Sequence, residues 1–402
     1  MKHKVVIIGG GFSGLVLLCG LLENKIDALL LERNDRVGKK ILATGNGRGN
    51  VTNAAMSTGC YHGNAPSFCD HAIKTYDNRH IEGFFNKKGV LFLTENDRVY
   101  PASLQANAIL DSLRLYCKPE SIRLNTFVKG LTFDKKQGAF KVETSTGIVY
   151  GEKVVLAAGG KASPHFGTDG NGYALARAFG HKITPLYPSL VQLLCDPQAV
   201  KGLKGVKQTA KVSVLSAGKE VASMTGDVLF SDHGVSGNTV FYLSAYVTGH
   251  DDRQLKIEFL PHLTMSALEE SLIKKRGAYP TLSAEEILNG LVHSRIGQKI
   301  VRGLNLHTKP LSKVTDGEIS SLVKAVKDFR LKITGTGGFD NAQVTRGGIE
   351  TCGVDPITME SKYQKGLYFC GEILDIDGDC GGYNLQWAYS SAICVLEAIK
   401  NG

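Results

Sequence analysis

Apolar positions along the chain follow two regimes. Toward both ends they form short continuous runs that stop at glycine, the pattern of strands buried on both faces of a parallel sheet. Residues 4–8 (Lys-Val-Val-Ile-Ile) run into glycines 9–11, and residues 153–156 run into Ala157-Ala158-Gly159-Gly160. Residues 366–369 run into Cys370-Gly371-Glu372. Leu15 to Leu22 reads as a helix after the first run, and residues 28–31 as the next strand. A last helical stripe is carried by Leu385, Ala388, Ala392, Leu396 and Ile399. The middle differs. Residues 190–263 carry short β-rich runs such as 210–215, broken by glycine and charge, which predicts an antiparallel sheet or barrel. Residues 264–330 turn helical, with Ile319, Leu322, Val323, Val326 and Phe329 on one face. The pattern predicts an α/β unit over 1–189 and 331–402, with a β-rich insert at 190–263 and a helical insert at 264–330.

The first glycine turn carries chemistry. Gly9-Gly10-Gly11-Phe12-Ser13-Gly14 sits between strand and helix, and Glu32 ends the second strand 18 residues after Gly14. Gly9 permits the tight turn, Gly11 lets a pyrophosphate approach the backbone, and Gly14 lets helix pack on strand. The helix N-terminus offers N–H groups and positive dipole character to phosphates. Glu32 is placed to accept from ribose hydroxyls. The fingerprint predicts a bound dinucleotide without choosing between FAD and NAD. No second such unit exists in the chain. Residues 167–173 (Gly-Thr-Asp-Gly-Asn-Gly-Tyr) open a helix but lack a downstream acid, and read as a turn against the first dinucleotide.

Two further segments suit a polar ligand. Residues 32–53 include Arg33, Lys39, Lys40 and Thr44-Gly45-Asn46-Gly47-Arg48-Gly49-Asn50, poor at covering a core and rich in amide donors. An ordinary surface loop is the alternative. Residues 371–384 end in Asp379-Cys380-Gly381-Gly382-Tyr383-Asn384 at a helix entry, where glycine N–H groups are again presented.

Composition narrows the class. Of 402 residues, 43% are hydrophobic and 21% charged, a globular balance. Glycine, 47 residues or about 12%, exceeds the usual ~7%, without the Gly-X-Y period of collagen. No apolar run reaches the roughly 18 residues of a membrane span. Nine cysteines, an odd number with no Cys-x-x-Cys, fit a reduced, cytoplasmic setting better than a disulfide framework or a zinc site. The net charge is 47 − 38 = +9. Its densest regular set, Lys201, Lys204, Lys207 and Lys211, reads as a solvated face.

Together these motifs resemble the YhiN/BaiN-like flavoproteins, the aminoacetone-oxidase-type family of NAD(P)/FAD-dependent oxidoreductases. The resemblance spans nearly the whole chain. Its carriers are 9–14, 44–53, 156–160, 167–173, 343–349, 358–362 and the long Gly-Glu-Ile-Leu-Asp-Ile-Asp-Gly-Asp-Cys-Gly-Gly-Tyr-Asn-Leu-Gln-Trp-Ala at 371–388. It implies a Rossmann-like FAD-binding domain of the glutathione-reductase type with an inserted barrel-like and helical part. By resemblance, Gly9, Gly11, Phe12, Ser13, Gly14 and Glu32 hold the adenosine and pyrophosphate half, with Val128 at the adenine. Ala158, Gly159 and Gly160 return the chain to that site. Thr44 to Asn50 and the segment of Gly371, Glu372, Gly381, Gly382, Tyr383, Asn384 and Gln386 lie along the ribityl and ring half. The chain departs from the family twice. Gly49 replaces the usual loop cysteine, and Asn238 replaces the proline after Gly-Leu-Ser-Gly.

In a flavoenzyme the ring carries hydride and the protein supplies protons and polarisation. Tyr383, Arg346, His233 and Cys380 are the candidates. Each has a plainer alternative: ring packing for Tyr383, a salt bridge for Arg346, a surface turn for His233 and small-residue packing for Cys380. The expected reaction is NAD(P)H-driven reduction of a conjugated C=C bond in a small apolar molecule such as a 3-oxo-Δ4 steroid or bile acid. NAD(P)H docks transiently, and no metal is implied. The rivals are an oxygen-using amine oxidase and a flavin-bearing RNA-modifying protein. The sequence has no aromatic-interleaved basic stripe to favour the latter.

Overall fold

The computed structural model describes residues 2–248, 250 and 252–402. The chain divides into one unit of residues 1–188 and 343–402 and another of residues 189–342.

The first unit is built on a seven-stranded sheet. Its parallel part runs Ile122–Arg123, Ala28–Leu31, Lys2–Ile8, Gly147–Leu156 and Leu367–Phe369, with Val5 opposite Ala28, Val6 opposite Val154, and Val155 opposite Tyr368. The antiparallel strands Ala139–Thr144 and Val128–Asp134 continue the sheet from the 147–151 part of Gly147–Leu156, on the side that Leu367–Phe369 takes at 154–156. Val5, Val6 and Ile7 are wholly buried, as strands covered on both faces must be. The Phe12–Glu23 helix is buried over most of its length. It packs on the C-terminal helix, Tyr383–Asn401, so closely that a Cβ at Gly20 would lie 2.4 Å from Leu396 Cδ2. The fold class therefore follows the apolar runs seen in the sequence.

The second unit holds a closed barrel of six strands. They run in the order Leu193–Cys195, Gly234–Ser236, Lys219–Phe230, Lys207–Ser216, Gln254–Glu258 and Phe329–Thr336, and Leu193 pairs with Thr336 to close it. The helices Met265–Ala278, Ser294–Gly303 and Asp316–Lys327 pack on it. Val212, Phe230 and Ile257 of the barrel share one core with Leu268, Leu322 and Val326 of the helices. Two boundaries thus differ from expectation. The insert is one unit, not a β part at 190–263 beside a helical part at 264–330. The chain returns to the first unit at 343 rather than 331, because Phe329–Thr336 is the strand that closes the barrel. Phe329 accordingly begins a strand instead of ending the helical face. Among the described residues no helix is long and apolar enough to cross a membrane.

Candidate functional site

The glycine turn after Lys2–Ile8 is shaped by backbone contact. Gly9 has φ +112°, and a Cβ there would lie 2.5 Å from the Ala157 carbonyl oxygen. A Cβ on Gly14 would lie 2.1 Å from the Gly9 carbonyl oxygen. A Cβ on Gly11 would meet nothing within 4 Å. Gly11 caps the helix without a side-chain hydrogen bond, and the first turn holds no acid. The first N–H groups are therefore left without a side-chain cap, beside an open position at Gly11. Glu32, nearly buried, accepts from the Gly10 N–H and the Asn34 N–H, each at 2.8 Å. Each oxygen keeps a lone pair for a further donor. Phe12 and Ser13 do not face this space. Phe12 stacks on Phe85 at 6.1 Å, and Ser13 lies beneath Gly371. They serve the turn through their backbones.

Beside the turn opens a cleft that is continuous with solvent. Of the residues expected from sequence, Gly9, Glu32, Arg33, Val128 and Ala158 line it. Thr126, Phe127, Thr168, Asp169 and Asn171 also line it and were not expected individually. The Arg33 guanidinium lies 4.9 Å from the Phe127 ring centroid and 2.6 Å from Asp169. Burial pushes the Asp169 carboxyl up, but hydrogen bonds from Arg33 and the Asn171 N–H hold it below its usual range. Asn171 donates to the Val128 carbonyl at 3.0 Å. The walls offer an aromatic ring and a guanidinium to a flat heterocycle, with Glu32 at the mouth.

The other expected half behaves differently. Gly45, Asn46 and Gly47 have φ of 56°, 54° and 84°, a left-handed run that glycine and asparagine tolerate best. The side chains around them are spent on the protein. Thr44 donates to the Ile41 carbonyl at 2.6 Å, and Asn50 to those of Thr52 and Val99. Arg48 pairs with Glu95 at 2.6 Å and lies 4.2 Å from the Tyr100 ring centroid. Gly49 has φ +76°, and its Cβ would lie 2.9 Å from Ala106 Cα, so glycine suits the close approach. Lys39 pairs with exposed Asp35. Lys40 meets Glu372 at 2.9 Å. The other Glu372 oxygen accepts from the Thr345 N–H, and Thr345 Oγ1 accepts from the N–H groups of Lys161 and Ala162. Gly159 is left-handed, and a Cβ on Gly160 would strike Thr345 Oγ1 at 2.3 Å.

Gly381 and Gly382 are also left-handed, at φ 134° and 99°, and a Cβ on Gly382 would lie 2.3 Å from the Thr52 carbonyl oxygen. The Tyr383–Asn401 helix begins there without a side-chain cap. The Gly371 N–H is held by Ser391 at 2.9 Å. Asn384 brackets Gly378, accepting from its N–H and donating to its carbonyl. Gln386 is wholly buried. It accepts from Thr52 and donates to Ser390 and the Tyr76 carbonyl. Asn384 and Gln386, expected along the ligand, fasten the loop to the helix.

The four catalytic candidates separate. Arg346 Nε and Nη2 each lie 3.3 Å from an oxygen of Asp377, which is 1% exposed. The Tyr383 hydroxyl lies 3.4 Å from the Ala55 carbonyl and also neighbours the Cys60 thiol. Burial, then the neighbouring Cys60, pushes its phenol well above the usual range. Cys380 lies 3.9 Å from Arg98, and its thiol is raised by burial against that cation. His233 lies in the second unit, exposed, with its carbonyl accepting from the Cys195 N–H. A pair unseen in the sequence is His62 and Asp379, at 2.7 Å. They stand 317 positions apart and meet because Tyr61–His62 pairs antiparallel with Asp377–Gly378, a register no local pattern announces. Among the described residues no group of three or more His, Cys, Asp or Glu side chains could hold a metal.

The open Gly11 position, the uncapped helix and the presented Glu32 carboxylate fit a dinucleotide. Comparison with known proteins agrees in kind. The HI0933-like protein Rossmann domain matches residues 3–397. A 3-dehydro-bile acid delta(4,6)-reductase of Clostridium scindens is 35% identical over 396 residues, 97% of each chain. A ribosomal RNA dihydrouridine synthase of Escherichia coli is 29% identical over 393 residues, 97% of this chain and 96% of its own. Among solved structures, a 3-ketosteroid-delta4-(5alpha)-dehydrogenase of Rhodococcus jostii gives a TM-score of 0.48 at 15% identity, over 99% of this chain and 97% of that one. The first of these relatives is named as a reductase, and this chain is an oxidoreductase. It belongs to the HI0933-like protein Rossmann domain family.

Proposed function

We propose that the chain binds FAD and reduces a C=C bond conjugated to a carbonyl, with NAD(P)H as transient electron donor. What carries the cofactor reading is the space at Gly11 beneath an uncapped 12-residue helix. In this reading the turn at 9–14 holds the pyrophosphate, Glu32 the ribose hydroxyls, and Arg33, Phe127 and Val128 the adenine. Bound FAD would supply the hydride chemistry. The chain's own part is to orient, exclude water and hold a proton. The N–H groups at Gly381 to Tyr383 would face the ring edge that gains negative charge on reduction. The Tyr383 phenol, kept protonated by burial, would supply the proton for the substrate α-carbon. Arg346 is tied to Asp377 and would act by positioning residues 377–382.

The substrate class follows the more similar relative, a reductase of 3-dehydro-bile acids, so we read the acceptor as a small, mainly apolar enone. A second reading is uridine in RNA, favoured by the dihydrouridine synthase relative and the net charge of +9. Uracil's C5=C6 bond is itself conjugated to a carbonyl, so both readings share one reaction. Anaerobic mixing tests them. NADH or NADPH should bleach the flavin, and a 3-oxo-Δ4,6 bile acid should restore its colour. Recovery with a ribosomal RNA fragment alone supports the second reading. Bleaching by an amine, and not by either nicotinamide, supports an oxidase and overturns both.

A further inference from the structure

The fingerprint helix carries a feature that dinucleotide binding does not use. Cys19, on its second turn and fully buried, lies with its Sγ 3.4 Å from Sγ of Cys117. Cys117 follows the Ala106–Tyr116 helix and is 7% exposed. The two stand 98 positions apart. The single Cys19 S–H is within reach of both the Cys117 sulfur and the Leu113 carbonyl, the latter at 3.2 Å. Beside them runs a buried cation. Lys88 pairs with Glu23, and its ammonium lies 4.3 Å from the ring centroid of Tyr116, the residue before Cys117. Every other free cysteine in the described residues either is exposed, as Cys352 is, or has no thiol hydrogen-bonded to it in this way.

We propose that Cys19 and Cys117 are a peroxide-reactive dithiol that closes to a disulfide and clamps the fingerprint helix to the Ala106–Tyr116 helix. Cys117 is the attacking sulfur. The hydrogen bond from Cys19 and the Lys88 charge lower its pKa, while burial and Glu23 oppose them. Cys19 is held as the protonated partner. The Cys117 thiolate attacks one peroxide oxygen, the O–O bond breaks, and with one proton a sulfenic acid and water result. Cys19 sulfur then attacks the sulfenic sulfur, its proton leaves with the hydroxyl as water, and the S–S bond forms. In sum, two thiols lose two electrons and two protons, and one hydrogen peroxide becomes two waters. The sulfurs must close by roughly 1.4 Å to reach bonding distance, a shift within the reach of two χ1 adjustments.

The clamp has a place to act. The Ala106–Tyr116 helix backs the 38–49 loop closely: a Cβ on Gly38 would lie 2.3 Å from Leu110 Cδ1, and one on Gly49 would lie 2.9 Å from Ala106 Cα. A bond from Cys19 to Cys117 would join the helix of the pyrophosphate turn to the support of that loop.

The test uses the purified full chain, reduced and then exposed to hydrogen peroxide, with alkylation and peptide mapping. The expected result is a mass loss of two hydrogens per chain and a cross-linked peptide pair containing residues 19 and 117. It should form roughly tenfold or more faster than oxidation at buried Cys69 or Cys394, whose thiols burial pushes up to about 12. Non-reduced protein should melt several degrees higher than reduced protein. Cys19→Ser should leave a sulfenic acid on Cys117 that dimedone traps, and Cys117→Ser should leave Cys19 unmodified. If Cys352 is consumed while Cys19 and Cys117 still alkylate after denaturation, the proposal is overturned. If Cys69 or Cys394 oxidises as fast as Cys117, it is overturned too. Neither outcome depends on the flavin reading, which the bleaching experiment judges separately.

Discussion

The two ends of the candidate cofactor site are built by opposite means. At the pyrophosphate end the contacts are backbone: Gly9, Gly11 and Gly14 shape a turn, and the one acid, Glu32, is fixed by two N–H groups. At the ring end the backbone is also bent, but side chains fill in behind it. Lys40 with Glu372, Arg346 with Asp377, and His62 with Asp379 tie distant segments together, and Asn384 braces its own loop at Gly378. The difference teaches where binding and chemistry separate. A charged, sequence-independent ligand part needs only amides and room. A ring that changes charge needs segments from far along the chain held in fixed relation.

The sharpest way to break the first end is Gly14→Val. The added Cβ would press on the Gly9 carbonyl at 2.1 Å, and neither backbone segment can yield without moving strand from helix. The first unit should fail to fold, seen as lost far-UV signal and insoluble expression, an effect above ~4 kcal/mol.

Gly11→Val separates binding from folding at the same turn. Its Cβ meets no protein atom within 4 Å, and Gly11 is already extended at φ −77°, ψ −169°. The apoprotein should melt within about 1 kcal/mol of the parent. Its FAD affinity should fall roughly a thousandfold, since the side chain takes the pyrophosphate's place. Titration of the apoprotein with FAD, followed by flavin fluorescence, reads this directly. A variant that binds FAD normally removes the pyrophosphate from Gly11.

These two variants mark how much the sequence disclosed. Local pattern sufficed for the first end: a buried run, glycines at set spacing and an acid after the next strand are one contiguous stretch, so strands, helix and turn were legible. The cleft was half legible. Val128, Arg33 and the 167–173 turn line it, whereas Phe127, which precedes the Val128–Asp134 strand, was not singled out. At the ring end local pattern did not disclose where the side chains are engaged. Asn384, read as lying along the ligand, bonds nearby Gly378, while Asn50 and Gln386 also bond carbonyls far off in the chain, those of Val99 and Tyr76. The same cause hid the barrel's closing strand, because Phe329–Thr336 gains its partners from residues 193–195 and 254–258.

Arg346→Gln probes the ring end's bracing. It removes the cation from Asp377, a carboxylate 1% exposed. Loss of one partner of a buried ion pair costs about 3 kcal/mol. Thermal or urea unfolding of the holoprotein should show it. Asp377→Asn together with Arg346→Gln should recover part of the loss, because no buried charge is then left alone. Equal stability of Arg346→Gln and the parent would mean the brace is idle.

Tyr383→Phe has the smallest expected effect on the fold and asks whether the ring end also does chemistry. The hydroxyl's one side-chain-to-backbone contact is long, 3.4 Å to the Ala55 carbonyl, so stability should change by less than ~1 kcal/mol. If the phenol supplies the proton, enone reduction should slow by at least ~10-fold, while flavin reduction by NAD(P)H keeps its rate. Burial raises the phenol's pKa above its ordinary value, so the acid form persists as pH rises and is lost only on passing that raised value. The parent's enone step should therefore stay level from pH 7 through pH 10 as far as this group is concerned. Single-turnover reoxidation of the reduced protein by enone, parent beside variant, measures rate and pH profile together. An unchanged rate would leave Tyr383 as packing against the ring and move the proton donor to another side chain of this end, with the His62–Asp379 pair next to be replaced.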